Sequence, residues 1–277
     1  MTSTRDRQRA AARAKLAQEM ADRQEQAHKR RQRQAFIGAG VALLVLVGGV
    51  VWLVTSMGGG DDKTTAGADP STAPVSCAWG EVPPDQRTPT TKDVGVPPTT
   101  TPPTSGTQVM TVDTSFGPVE VTMDLAKSPC TAEAFSYLAS KQFWDGTKCH
   151  RMFPGMLQCG DPSAKGKGYR ESDGTGGPTF RYANENLPVD QRPAYPEGVV
   201  ALANSGPDTN GSQFFFIYQD VELSPDYTVL GKVTKGLENI KKATEPGHDG
   251  AFDPSPGGGH PKNDIEIKTL TVSAPAA

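Results

Sequence analysis

The side chains best equipped for chemistry fall in two short stretches. The first holds Arg151, Met156 and Gln158. The second, Gly198 to Phe216, reads GVVALANSGPDTNGSQFFF and holds Ala203, Asn204, Gln213 and Phe215. Arginine is a permanent cation with a rigid fork of donors. Beside a reacting group, such a donor can favour a transition state over a ground state with no covalent step. The amides can grip a chain, and Met156 and Phe215 can wall an apolar slot. By spacing alone, the second stretch also reads as a hairpin with a long turn, and its apolar residues as core.

Short strands must position these groups. Val199, Val200 and Leu202 form one apolar run, and Gln213 to Tyr218 an aromatic one. Between them, Ser205 to Ser212 is loop by its Gly, Pro, Asn, Asp and Ser. Lys148 to Phe153 and Met156 to Cys159 read as two strands around Pro154-Gly155. Alternation on the first turns His150 away from Arg151, which predicts a structural histidine. Gln108 to Thr122 alternates and turns at Ser115-Phe116-Gly117 as a hairpin. Ser128-Pro129 opens a helix with Phe135, Leu138 and Ala139 on its core face. Leu237 to Ala243 is a second helix, and Ile265 to Val272 a last strand. The Gly-rich loop from Gly160 to Gly177 lacks the spacing and context of a phosphate loop, which excludes nucleotide binding there. Many short strands and two helices predict an all-β barrel.

The chain has 277 residues and a net charge of −3, which hides a strong asymmetry. Residues 1–35 are a basic tail, 36–57 an uncharged apolar run, 58–106 a Thr/Pro/Gly-rich linker and 107–277 a domain with a core. No recognition module accompanies the basic tail, so nucleic acid is not an expected partner. As a helix, Phe36 to Met57 spans roughly 33 Å against a hydrocarbon core of about 30 Å. The run is long for a signal peptide, and Met-Gly-Gly-Gly after it is a poor cleavage site. A single transmembrane helix is therefore expected at 36–57. The basic flank places the N-terminus in the cytoplasm and the domain outside. Cys77-Ala78-Trp79 stands out in the linker as a point pinned to the domain.

Four cysteines in an exported chain point to disulfides, with three connectivities open. Cys149 and Cys159 flank the Pro154-Gly155 turn, which suits a cross-strand bridge and would leave Cys77 for Cys130. A metal site from Cys149, His150 and Cys159 matches no common zinc spacing.

ALANSGPDTNGSQFFF resembles the core signature of cyclophilin-type peptidyl-prolyl isomerases. His150-Arg151, Pro154-Gly155, Gln158, Gly160-Asp161, Gly174-Thr175-Gly176-Gly177, Glu185-Asn186 and Val229-Leu230-Gly231-Lys232-Val233 also resemble that family, in family order over about residues 107–273. The resemblance implies a closed eight-stranded antiparallel barrel capped by two helices, monomeric, without cofactor or metal. It implies proline-containing polypeptides as partners. Arg151 would be the catalytic donor to the amide nitrogen of a twisted X–Pro bond. Gln158 would hold the arginine or the substrate carbonyl, Asn204 would clamp the peptide through its main chain beside Ala203, and Gln213 would bond nearby. Met156, Phe215, Leu223 and Tyr227 would line the proline pocket. Three departures stand out. The Arg151-to-Gln158 segment is one residue short, which leaves Met156 with Leu157 or Gly155 where a Phe-Met pair is usual. Tyr227 replaces the pocket histidine. Glu222 stands where a tryptophan often precedes Leu223, which predicts weak binding of cyclosporin-like macrocycles. Two readings follow: a membrane-anchored isomerase for exported proteins, or a tethered module that binds proline segments without turnover.

Overall fold

The computed structural model describes residues 75–255 and 257–277. The basic tail, the apolar span and the start of the linker lie outside the described residues. Among the described residues no helix is long and apolar enough to cross a membrane.

In chain order the elements are β1 (Gly80–Glu81), β2 (Thr91–Lys92), β3 (Thr107–Thr114), β4 (Gly117–Asp124), α1 (Pro129–Ser140), β5 (Thr147–Lys148), β6 (Arg151–Phe153), β7 (Met156–Cys159), β8 (Gly177–Pro178), β9 (Phe180–Arg181), β10 (Val199–Leu202), β11 (Phe214–Ile217), β12 (Val229–Lys235), α2 (Leu237–Thr244) and β13 (Glu266–Val272). Nine strands form one sheet in the order β5-β13-β3-β4-β12-β10-β11-β7-β6. Every pairing in it is antiparallel.

The sheet's two edges, β5 and β6, are separated in the chain only by Cys149 and His150. Laid flat, nine strands at about 4.8 Å spacing would hold those edges about 38 Å apart. Three chain steps cover at most about 11 Å. The sheet must therefore curl until its edges nearly meet. The expected count is eight strands; this sheet has nine, with the run over 147–153 broken at Cys149-His150 into β5 and β6.

Alternation does most of the building. β3 alternates half-buried and buried residues along its whole length, with Met110 and Val112 inward. Inside the curl, Val119, Val121, Leu157, Phe214, Phe216 and Leu230 pack with Phe135 and Leu138 of α1. The N-terminus of α1 has free N–H groups, as every helix does. Ser128 makes no side-chain cap there. Instead the Glu185 carboxylate accepts from Cys130 N and Thr131 N, both at 3.0 Å. An anion at that end also suits the helix dipole.

Residues 75–106, read in the sequence as linker, pack on the domain. Cys77 is bonded to Cys130, and Cys149 to Cys159. Trp79 sets its ring edge-on to Phe180 and Tyr182, at 5.8 and 5.7 Å. β1 pairs antiparallel with β9, and β2 parallel with β8. This arm carries enough apolar and hydrogen-bonding anchors to hold its place. Its Pro and Thr content signals extended chain without saying what the chain lies against.

Candidate active site

Sheet register assembles the site. Arg151 is paired with Gln158, Gln158 with Phe215, and Phe215 with Ala201, across four adjacent strands. Directly paired residues share a face, and so do residues two apart on one strand. Phe153 and Met156, a pair of their own next to the β6–β7 turn, therefore join that face. Leu157, Phe214 and Phe216 take the opposite face, inside the curl. β11 is buried on both faces, because the chain before β10 and after β11 covers its outer side.

The result is a cavity of about 340 Å³ lined by Arg151, Phe153, Met156, Gln158, Ala203, Asn204, Phe215, Leu223 and Tyr227. Its size falls within the usual range for ligand sites. Of the residues predicted for the site, only Gln213 is missing from this lining. Tyr227 meets Phe215 edge-on, with ring centroids 5.5 Å apart. Tyr195 lies fully buried behind both rings. Its hydroxyl donates to Tyr227 O at 2.9 Å and accepts from Tyr227 N at 2.8 Å. Burial pushes the Tyr195 phenol up to about 12.

Arg151 donates through Nη2 to Gly257 O at 3.2 Å, which steadies a guanidinium at the lip of an apolar slot. Gln158 is engaged by a second amide. Its Nε2 donates to Gln213 Oε1 at 2.9 Å. Gln213 in turn donates to Gly174 O and Gly176 O, both at 2.8 Å. Gln213 is thus a brace that sets Gln158 against the Gly-rich loop. That loop is pinned by the buried Asp161, which accepts from Gly174 N at 2.6 Å and from Gly176 N at 3.1 Å. Below it, Lys148 and Asp173 form a buried ion pair at 3.7 Å.

Asn204 is fixed by its side chain. It donates to Asp226 O at 3.0 Å and accepts from Gly206 N at 3.1 Å. Among the described residues its main-chain N–H and C=O engage no partner, which leaves both for a bound chain. His150 is buried, on the face opposite Arg151, and burial depresses its pKa to about 4.

Two residues were missed in the sequence. Phe153 lines the cavity where the shortened segment put Leu157 or Gly155 in view. Leu157 faces inward, and Gly155 sits in the turn against Val221 and Gln219. The signal was present, since Phe153 lies two residues after Arg151 on one strand. Tyr195 had no local signal, because its contacts are all distant in sequence. Glu222 is exposed and does not line the cavity. The thiols of Cys149 and Cys159 are spent on each other, which removes the metal alternative.

A curled antiparallel sheet with two helices, carrying a cation beside an apolar slot on its outer face, defines a class of groove-binding β-proteins. The chain belongs to the family described as cyclophilin type peptidyl-prolyl cis-trans isomerase/CLD, whose family model matches residues 109–272. It is similar to the "Probable peptidyl-prolyl cis-trans isomerase B" of Mycobacterium leprae, 39% identical over 57% of this chain and 55% of that protein. The Mycobacterium tuberculosis protein of the same name is 36% identical over 65% of this chain and 60% of its own length. The chain thus spans little more than half the length of these mycobacterial relatives. Human "Peptidyl-prolyl cis-trans isomerase-like 3" is 32% identical over 60% of this chain and 96% of its own length. A crystal structure of a Cryptosporidium parvum cyclophilin type peptidyl-prolyl cis-trans isomerase aligns over 61% of this chain and 99% of its own, with TM-score 0.48 and 23% identity.

Proposed function

We propose that this chain is a peptidyl-prolyl cis–trans isomerase. The observation that carries the reading is the shared cavity, in which the Arg151 cation meets Phe153, Met156, Phe215, Leu223 and Tyr227. X–Pro bonds exchange slowly because the amide C–N bond has double-bond character, with a barrier of about 18–20 kcal/mol. Twisting the amide localises the lone pair on nitrogen. A donor aimed there is favoured in the transition state over the planar ground state. The apolar walls take the pyrrolidine ring, Asn204 offers its main chain to the peptide, and Arg151 supplies the donor. The chemistry calls for no cofactor, and all of it lies within the monomeric domain. The family's closed eight-stranded barrel is the fold we assign, with 147–153 counted as one strand.

The setting is part of the proposal. Residues 36–57 anchor the chain in the cell membrane as a single span, with the basic tail in the cytoplasm and the isomerase outside. There it acts as a folding helper for exported, proline-containing proteins, as in an actinobacterial-type envelope. Two disulfides that use all four cysteines suit an oxidising compartment. Protease treatment of intact cells tests the orientation: digestion of the domain is expected, and full protection would reverse it.

An isomerisation assay on an X–Pro tetrapeptide tests the activity. Wild type is expected to accelerate exchange, and Arg151→Ala to lower kcat/KM by about 10²–10³, the usual effect of losing one transition-state donor. Wild type without acceleration leaves only a proline-binding module. Full activity in Arg151→Ala would remove the mechanism but not the function.

A further inference from the structure

A second cavity, of about 430 Å³, adjoins the first and shares Gln158, Ala203 and Asn204 with it. One wall comes from the N-terminal arm, through Gln86, Thr88 and Thr91; the other includes Arg181, Ser205 and Thr209. The arm is held there by its β pairing and by Val82 N donating to Thr179 O at 2.9 Å. Thr90 also meets Thr175 at 2.9 Å.

The polar groups of this annex are unequal. Arg181 is the one charged side chain among the lining residues, and no Asp or Glu lines the cavity. Its Nη1 donates to Gln86 Oε1 at 2.8 Å, which turns the amide's acceptor inward to the arginine. That leaves Gln86 Nε2, the other guanidinium N–H groups and the Ser205 hydroxyl as donors. Donors around a lone cation, with no competing carboxylate, select an acceptor that carries negative charge.

We propose that the arm and Arg181 together form a side-chain subsite for an acidic residue, Asp or Glu, within a few positions of the proline. This rests on the groove being a proline-peptide site, but not on its turning over. The arm, fastened through Cys77–Cys130, then acts as a specificity element of the enzyme.

Labelled proline peptides with Glu or Gln at each of the three positions on either side of the proline, titrated into the full chain by fluorescence anisotropy, test it. At one position or more, the Glu peptide should bind roughly threefold to tenfold tighter than its Gln twin. The advantage should shrink as salt screens it. Arg181→Gln should bring the Glu/Gln ratio to about one. So should Gln86→Glu, which occupies the guanidinium with an internal carboxylate and leaves Arg181 in place. A ratio near one at every position in wild type, or a preference that survives both substitutions, overturns the subsite. If the preference holds while no peptide is isomerised, the activity reading falls and the subsite stands. If no proline peptide binds at all, both fall.

Discussion

Arg151, Phe153 and His150 are near neighbours in sequence with separate fates, and each makes a separate prediction. Phe153 forms part of the apolar wall and touches no polar group of the reaction. Truncation to Ala should weaken peptide binding, raising KM several-fold with a smaller change in kcat, as steady-state kinetics on a soluble tetrapeptide would show. Equal losses in both constants would mean that Phe153 acts on the transition state instead. His150 is held neutral in the folded protein by burial, with its pKa down at about 4. The unfolded chain takes up this proton below about pH 6.5. The folded state therefore has the full benefit of a neutral His150 above that pH and loses it as pH falls toward 4. The loss is on the order of 3 kcal/mol. Denaturation midpoints measured between pH 7 and 4 should fall more steeply for wild type than for His150→Asn. Parallel curves would assign the acid sensitivity to other groups.

At the scale of elements, the Gly-rich loop and the arm carry the site's precision. Gly174 has φ +95°, and a Cβ there would meet the His150 ring at 3.1 Å. Gly174→Ala should cost about 1–3 kcal/mol through backbone strain and crowding. It should also displace the Gly174 carbonyl that holds Gln213, and so loosen Gln158. Lower stability together with a raised KM is expected; an unchanged KM would separate the loop from the groove. The Cys77–Cys130 bridge closes a separation of 53 residues. The paired change Cys77→Ser/Cys130→Ser should lower stability by about 2–4 kcal/mol. A guanidinium titration of the full chain checks this, and a midpoint equal to wild type would mean that β1, β2 and Trp79 hold the arm without the covalent tie.

For the whole molecule, what the sequence disclosed follows the range of the interactions. Alternation in Gln108–Thr122, the helix begun at Ser128-Pro129 and the Pro154-Gly155 turn are local patterns, and they could be read directly. Arg151, Met156, Phe215, Leu223 and Tyr227 meet in one cavity because family spacing encodes a register that composition alone does not. Gln158 lines the cavity as expected, but its bond to Gln213 was not legible, because an amide is equally able to bond an arginine, a carbonyl or another amide, and only the fold chooses. Tyr195 and the arm's strand pairing beyond the Cys77-Ala78-Trp79 pin escaped notice for the opposite reason: their partners lie from 20 to about 100 residues away. Glu185 capping α1 belongs with them, since a cap from a distant loop leaves no mark beside the helix it serves.

The run Phe214–Ile217 is apolar at every position and buried on both faces. Most strands reject a one-residue slip because it would drive their greasy side into water. This one carries no such penalty, and a slipped pairing would exchange the slot's Phe215 for a neighbouring phenylalanine. Fidelity must come from its flanks. Gly160 leaves no space for a side chain against Ser212 O, at 2.4 Å from an added Cβ. The bond between Cys149 and Cys159 fastens the neighbouring strand β7 next to β6. An aromatic triplet that furnishes the slot so well has handed the duty of alignment to a glycine and a pair of sulfurs.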